Sequence, residues 1–134
     1  MFQKPMFARA SFLYQLFSIG NAMSAVTIFV TASTQEEAMK IARTLIKERL
    51  AACANILGEI SSVYRWNEEV IDEKESALLL KTHRDLTTVL TERIKALHSY
   101  ECPCITVLEI IDGNADYIAW IAQETSPKVT ISDI

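Results

Sequence analysis

Two extended segments on either side of one tight turn limit what this chain can fold into more than any other feature. "ACANILGEISSVYRW" (Ala52–Trp66) and "VIDEKESALLLKT" (Val70–Thr82) flank Asn67, Glu68 and Glu69 and read as the arms of a β-hairpin. Each arm exceeds the usual strand of about five to six residues. Gly58 marks a bend or bulge in the first arm, because the apolar phase shifts between Ile60 and Val63. The second arm is polar near the turn and continuously apolar only from Ala77 to Leu80, so only its far half belongs in a core. The half of the hairpin near the turn carries Val63, Tyr64 and Trp66 of the first arm, a surface that must find another cover.

The remaining elements set the hairpin in context. "AVTIFVTA" (Ala25–Ala32) is β-branched and apolar on both faces, the pattern of a central strand covered on both sides. Thr34 and Glu37 form a capping box for a helix in which Ala38, Ile41, Ala42, Leu45, Ile46 and Arg49 keep helical spacing. A second helix is predicted over Asp85–Leu97, with Leu86, Val89, Leu90, Ile94 and Leu97 on one stripe, and Pro103 prevents its continuation. "ITVLEII" (Ile105–Ile111) reads as another strand apolar on both faces apart from Glu109. Asp112, Gly113 and Asn114 then turn the chain into a short C-terminal helix with Tyr117, Trp120 and Ile121. The order βαββαβ plus a helix is an α+β, ferredoxin-like sandwich, in which two helices cover one face of an antiparallel sheet.

A chain of 134 residues that is 50% apolar suits one domain whose core needs no disulfide staples. A net charge of −4 without a basic run argues against nucleic-acid and anionic-membrane partners. Three cysteines are an odd number at low density, which fits a reducing, cytoplasmic compartment. Residues 1–22 differ from the rest, with Lys4 and Arg9, several aromatics and no acid. They read as an organelle presequence or, with Met23 as the true initiator, as a leader or disordered arm. The expected division is therefore 1–22, a domain over 23–126, and a tail over 127–134 that frays or adds an edge strand.

"ALHSYECPCI" (Ala96–Ile105) sets His98, Cys102 and Cys104 around Pro103 at a helix-to-strand junction. Alternate side chains of an extended segment share a face, so the two thiols can point together, and Cu(I) accepts two or three thiolate or imidazole ligands. The competing reading is a turn, with Cys104 entering the core as a small hydrophobe and His98 and Tyr100 bonding backbone. The spacing lacks the four ligands of a structural zinc site, and Cys53 is expected to be remote. Thiol catalysis is disfavoured, because a helix C-terminus raises the pKa of a nearby thiol. Phosphoryl transfer would need Gly and Arg in the loop that holds Ala32, Ser33 and Thr34. RNA binding would need aromatics on the central strands. His83 reads as a solvated loop residue.

Five segments carry a resemblance: "ERLAACANI" from Glu48, "SVYRW" from Ser62, "LLLKT" from Leu78, "LHSYECP" from Leu97 and "GNADYIAW" from Gly113. In order and spacing they are similar to the CutA divalent-cation tolerance family, over Ala25 to about Ser126. The resemblance implies a ferredoxin-like protomer in a tight homotrimer, cytoplasmic or organellar, not an enzyme, and associated with copper or other divalent cations in metal homeostasis. It also implies an architecture shared with PII signalling proteins, hence the alternative of a small-molecule sensor or scaffold with an effector cleft between subunits. Of the three positions to which copper binding is attributed in the family, Val30 and Leu97 hold no ligand here and only His98 remains, so weak binding is expected, with Cys102 and Cys104 as an alternative thiol site. Tyr64, Trp66, Lys81, Tyr100 and Glu101 fall at positions that line the family's inter-subunit crevice. They are read there either as the walls of a site for a small anion or a solvated cation, or as residues that seal the trimer.

Overall fold

The computed structural model describes residues 24–125; the expected leader at 1–22, Met23 and the tail at 127–134 lie outside the described residues. In chain order the elements are β1 (Ala25–Ala32), α1 (Gln35–Lys47), β2 (Cys53–Trp66), β3 (Glu69–His83), a 3-10 turn (Arg84–Leu86), α2 (Thr87–Leu97), β4 (Ile105–Glu109) and α3 (Ala115–Glu124). The four strands form one antiparallel sheet in the order β2-β3-β1-β4. The fold is thus the mixed α+β arrangement that the sequence predicts, with a long hairpin and a short C-terminal helix.

Because successive strand residues point to opposite faces, β1 divides its side chains between two environments. Val26, Ile28, Val30 and Ala32 are fully buried in one cluster with Ile41 and Leu45 of α1 and Leu90 and Ile94 of α2. Each buried Val, Ile or Leu side chain among them contributes about 1.5–3 kcal/mol. Ala25, on the other face, joins Ala52 with Ile118 and Ile121 of α3 in a second, smaller cluster. The rest of that face has no helix over it, so Phe29 is only half-buried, and β1 is not covered on both sides along its length.

Several boundaries differ from expectation, each for a local reason. α1 stops at Lys47 because Arg49 turns left-handed (φ 60°) and Leu50 N–H donates to the Leu45 carbonyl at 2.9 Å, so Arg49 closes the helix rather than extending it. The hairpin turn is a two-residue loop, since Asn67 and Glu68 both take positive φ while Glu69 already pairs with Trp66. Such loops match the right-handed twist of the arms. α2 begins at Thr87 after the 3-10 turn, with His83 accepting from Asp85 N–H, and Val89 is 54% exposed rather than in the core stripe. β4 ends at Glu109 on an edge of the sheet, and Ile111, expected within it, is 80% exposed.

The bulge predicted at Gly58 decides which residues the hairpin presents. Ile56 pairs with Leu78 and Gly58 with Ala77, so Leu57 is extra. Before it, odd-numbered Cys53 and Asn55 share the face opposite α1 and α2; after it, even-numbered Ile60, Ser62, Tyr64 and Trp66 do. Gly58 holds φ +92°, and a Cβ there would meet nothing within 4 Å.

The segment after α2 is tied to α1. Thr34 accepts from Glu37 N–H at 3.1 Å, but the return arm of the capping box goes elsewhere. Glu37 Oε1 accepts from Ser33 N–H at 3.0 Å, and Oε2 accepts from Ser99 N–H at 3.0 Å. His98 Nε2 donates to the Thr31 carbonyl at 2.7 Å, which leaves Nδ1 to accept from Tyr100 N–H at 3.0 Å. Burial pushes the Glu37 pKa up, but the bonds from Ser33 and Ser99 and the nearness of His98 outweigh it, and the net shift is downward.

Two outcomes follow from these contacts. Gly58→Ala should cost about 1–2 kcal/mol in urea unfolding, from backbone strain alone. Glu37→Gln should destabilise by about 1–2 kcal/mol at pH 7. Since the folded pKa of Glu37 lies below its unfolded value of about 4.3, its contribution is complete above that pH and is lost as pH falls through the folded pKa. The stability gap between parent and variant should therefore close on acidification toward pH 3, and a gap that stays constant would exclude this role for the charge.

Candidate functional site

The uncovered face of the sheet carries a buried carboxylate. Glu75 of β3 sits opposite Ile60, is 8% exposed, and accepts from Tyr100 Oη at 3.0 Å through Oε1 and from Ser62 Oγ at 2.5 Å through Oε2. Two residues nearer the turn, Glu73 accepts from the Tyr64 hydroxyl. Both tyrosine pKa values are raised, that of Tyr100 by burial and then by its bond to Glu75, that of Tyr64 mainly by its bond to Glu73. The phenols therefore act as protonated donors at neutral pH. Hydroxyl donors satisfy the lone pairs of these carboxylates without cancelling their charge.

Around this pair opens a cavity of about 570 Å³, lined by Phe29, Thr31, Ile60, Ser62, Val63, Tyr64, Trp66, Glu73, Glu75, Tyr100, Glu101, Cys102 and Cys104. Four of the five residues expected in the cleft meet there: Tyr64, Trp66, Tyr100 and Glu101. Lys81 does not. It lies six residues along β3 from Glu75, about 20 Å away, where its Nζ donates to Asn55 Oδ1 at 2.6 Å. Glu73, Glu75 and Ser62 are not among the site residues that the sequence singles out, because the second arm reads there only as polar near the turn. The available signal was strand alternation, since a bulge at Gly58 places Glu73 and Glu75 on the same face as Ser62, Tyr64 and Trp66.

The metal candidates divide. The His98 side chain is fully buried and both its ring nitrogens are engaged, so it presents no lone pair to an ion. Cys102 and Cys104 are exposed and line the cavity; Cys104 does not enter the core. Burial and the Glu75 charge push the Cys104 thiol pKa up, against an opposing bond with Thr31. Cys53 is buried at the start of β2, with its thiol 3.8 Å from Asn55 Oδ1. Among the described residues, no three His, Cys, Asp or Glu side chains converge as a ready-made metal centre.

Comparison with known proteins agrees with this fold. The family described as CutA1 divalent ion tolerance protein matches residues 26–124. The divalent-cation tolerance protein CutA of Thermus thermophilus is 43% identical over 98 residues, covering 73% of this chain and 95% of the relative. The chloroplastic CutA 1 of rice is 36% identical over 81% of this chain, which spans 61% of that relative's length. Among solved structures, the divalent cation tolerance protein of Thermus thermophilus aligns with a TM-score of 0.75 at 41% identity, over 76% of this chain and 99% of that one. That of CutA1 from Ehrlichia chaffeensis aligns with 0.73 at 35% identity, over 78% and 97%. With an order of elements, a hairpin and a family match that span the domain, the chain belongs to the CutA1 family of divalent ion tolerance proteins.

Proposed function

We propose that this chain serves divalent-cation tolerance as a homotrimer of ferredoxin-like protomers, weakly binding copper or another divalent ion in the carboxylate-lined cavity. The observation that carries the reading is that Glu73, Glu75 and Glu101 line one cavity while Lys81 is held elsewhere by Asn55. An electronegative, partly apolar pocket concentrates cations. The carboxylates suit a hydrated ion held partly through its own water rather than a fully stripped one, and affinity is accordingly low. The same observation disfavours the PII-like alternative of a small anionic effector, which would want the lysine inside the cleft.

The chain binds rather than catalyses on this reading: the Cys104 thiol is shifted away from the thiolate that a nucleophile needs. Its three cysteines are free, which suits the cytoplasm, and no helix among the described residues is long and apolar enough to cross a membrane. The overall charge of −4 argues against nucleic acid as a partner.

Assembly is supported by what a lone protomer exposes. Val63, Trp66 and Val70 near the hairpin tip are 66%, 50% and 65% exposed, and Leu108 on the other edge strand is 54% exposed. A cyclic arrangement covers both sheet edges without leaving a free one, and the family resemblance favours three members.

Light scattering at micromolar concentration should give a three-protomer mass, and Trp66→Ala should shift it toward smaller species; a stable parent monomer would exclude the ring. Titration with Mn(II) should show binding at about 0.1 mM or weaker, reduced at least about tenfold by Glu101→Gln. Absence of binding at millimolar Mn(II), or an unchanged affinity in the variant, would remove the cation reading.

A further inference from the structure

We propose that a second cavity, on the α1 face of the sheet, is a site for a small zwitterion of the free amino-acid class. It lies on the opposite face from the carboxylate-lined cavity and stands independently of the cation reading.

This cavity of about 280 Å³ lies between the start of α1, at Thr34 and Gln35, and the hairpin, at Glu59, Lys74, Glu75 and Ser76. Ser76 turns to the same face as Leu78 and Leu80, and its hydroxyl is the group that points to a ligand. Ser76 is 3% exposed, and its Oγ is the only buried side-chain polar atom without a hydrogen-bond partner among the described residues. A polar group shut away from water in this condition calls for an occupant that the chain itself does not supply.

The charges around that hydroxyl are unpaired as well. Glu59 lies directly opposite Ser76 on β2, and Lys74 is two residues along β3. Such diagonal positions are about 7–8 Å apart, within reach of long side chains. Glu59 and Lys74 nonetheless form no ion pair among the described residues, and Lys74 Nζ donates instead to Ser61 Oγ at 2.6 Å. The Glu75 carboxylate is committed to Ser62 and Tyr100 on the other face, and that of Glu37 to Ser33 and Ser99. At the helix start, Thr34 accepts from Glu37 N–H, while Gln35 N–H has no acceptor among the described residues.

One ligand meets all of these groups. Its carboxylate can accept from Gln35 N–H, Ser76 Oγ and Lys74 Nζ at the positive end of the α1 dipole. Its ammonium can donate to Glu59. A plain oxyanion would leave the Glu59 charge facing it, and a plain cation would face Lys74 and the helix start. The volume falls below the range of drug-sized ligands, which begins at about 300 Å³, and the wall carries no apolar residue, so a small, polar amino acid fits.

The test is amide NMR titration of the full chain with L-serine, with acetate and methylammonium as probes of each charge alone. L-serine should shift the Gln35 and Ser76 amides saturably in the millimolar range, which a ligand of few atoms can reach. Acetate and methylammonium should bind at least about tenfold more weakly, and Glu59→Gln and Lys74→Met should each weaken L-serine at least about tenfold. Ser76→Ala should weaken L-serine at least about threefold yet leave the melting temperature of the free protein unchanged or higher, because it removes an unpaired buried group. A melting temperature lower by more than about 2 °C in Ser76→Ala would reveal a structural partner for the hydroxyl and overturn the site. So would L-serine shifts that stay unsaturated at about 100 mM, or that persist in the Glu59→Gln/Lys74→Met double variant. Acetate bound as tightly as L-serine, and more tightly in Glu59→Gln, would replace the zwitterion with a plain oxyanion and overturn the proposal.

Discussion

Two helices of ordinary length cover only one face of a four-stranded sheet, and the rest of this molecule follows from that shortfall. α1 and α2 bury Val26, Ile28 and Val30 with Leu78 and Leu80 in a closed aliphatic core. α3 is short and protects only the end of the opposite face near Ala25 and Ala52. What remains is a sheet surface that is apolar at Phe29 and Ile60, aromatic at Tyr64, Trp66 and Tyr100, and acidic at Glu73 and Glu75. A face of this kind is stable only if water, a ligand or another chain meets its polar groups, so the site and the expected assembly are two consequences of one geometric fact.

The main-chain elements were legible because their signals are local. Thr34 and Glu37 sit three residues apart, the β-branched run of β1 is contiguous, and the phase change at Gly58 is visible within six residues. The side-chain network was not legible, because its contacts join distant parts of the sequence. His98 bonds the carbonyl of Thr31, 67 residues away, and Glu37 reaches Ser99, 62 residues away. Nothing near His98 in the sequence says that its imidazole will be buried, so a ligand and a structural residue look alike there. Lys81 is a second case of a partner that the sequence does not show. It shares a strand and a face with Glu75, yet six residues of β3 separate them, and Asn55 on the neighbouring strand supplies the nearer partner.

Glu37 and Glu75 show how the same side chain meets two different sets of donors. Glu37 accepts from backbone N–H groups of two separate segments, which fixes both segments and lowers its own pKa. Glu75 accepts only from hydroxyls, of Ser62 and Tyr100. A hydroxyl satisfies lone pairs and sets the carboxylate's orientation, whereas a lysine or arginine in the same place would also neutralise it. The negative potential at Glu75 is therefore preserved toward the cavity while the group is held still.

Placing the support outside the cavity has a further consequence for how the site can vary. The bonds from His98 to Thr31 and from Ser99 to Glu37 run to β1 and α1, so the path of residues 98–104 does not depend on which side chains that segment turns toward the cavity. Substitutions at Glu101, Cys102 or Cys104 therefore leave this anchor in place, and the chemistry of the cavity wall can change on one backbone.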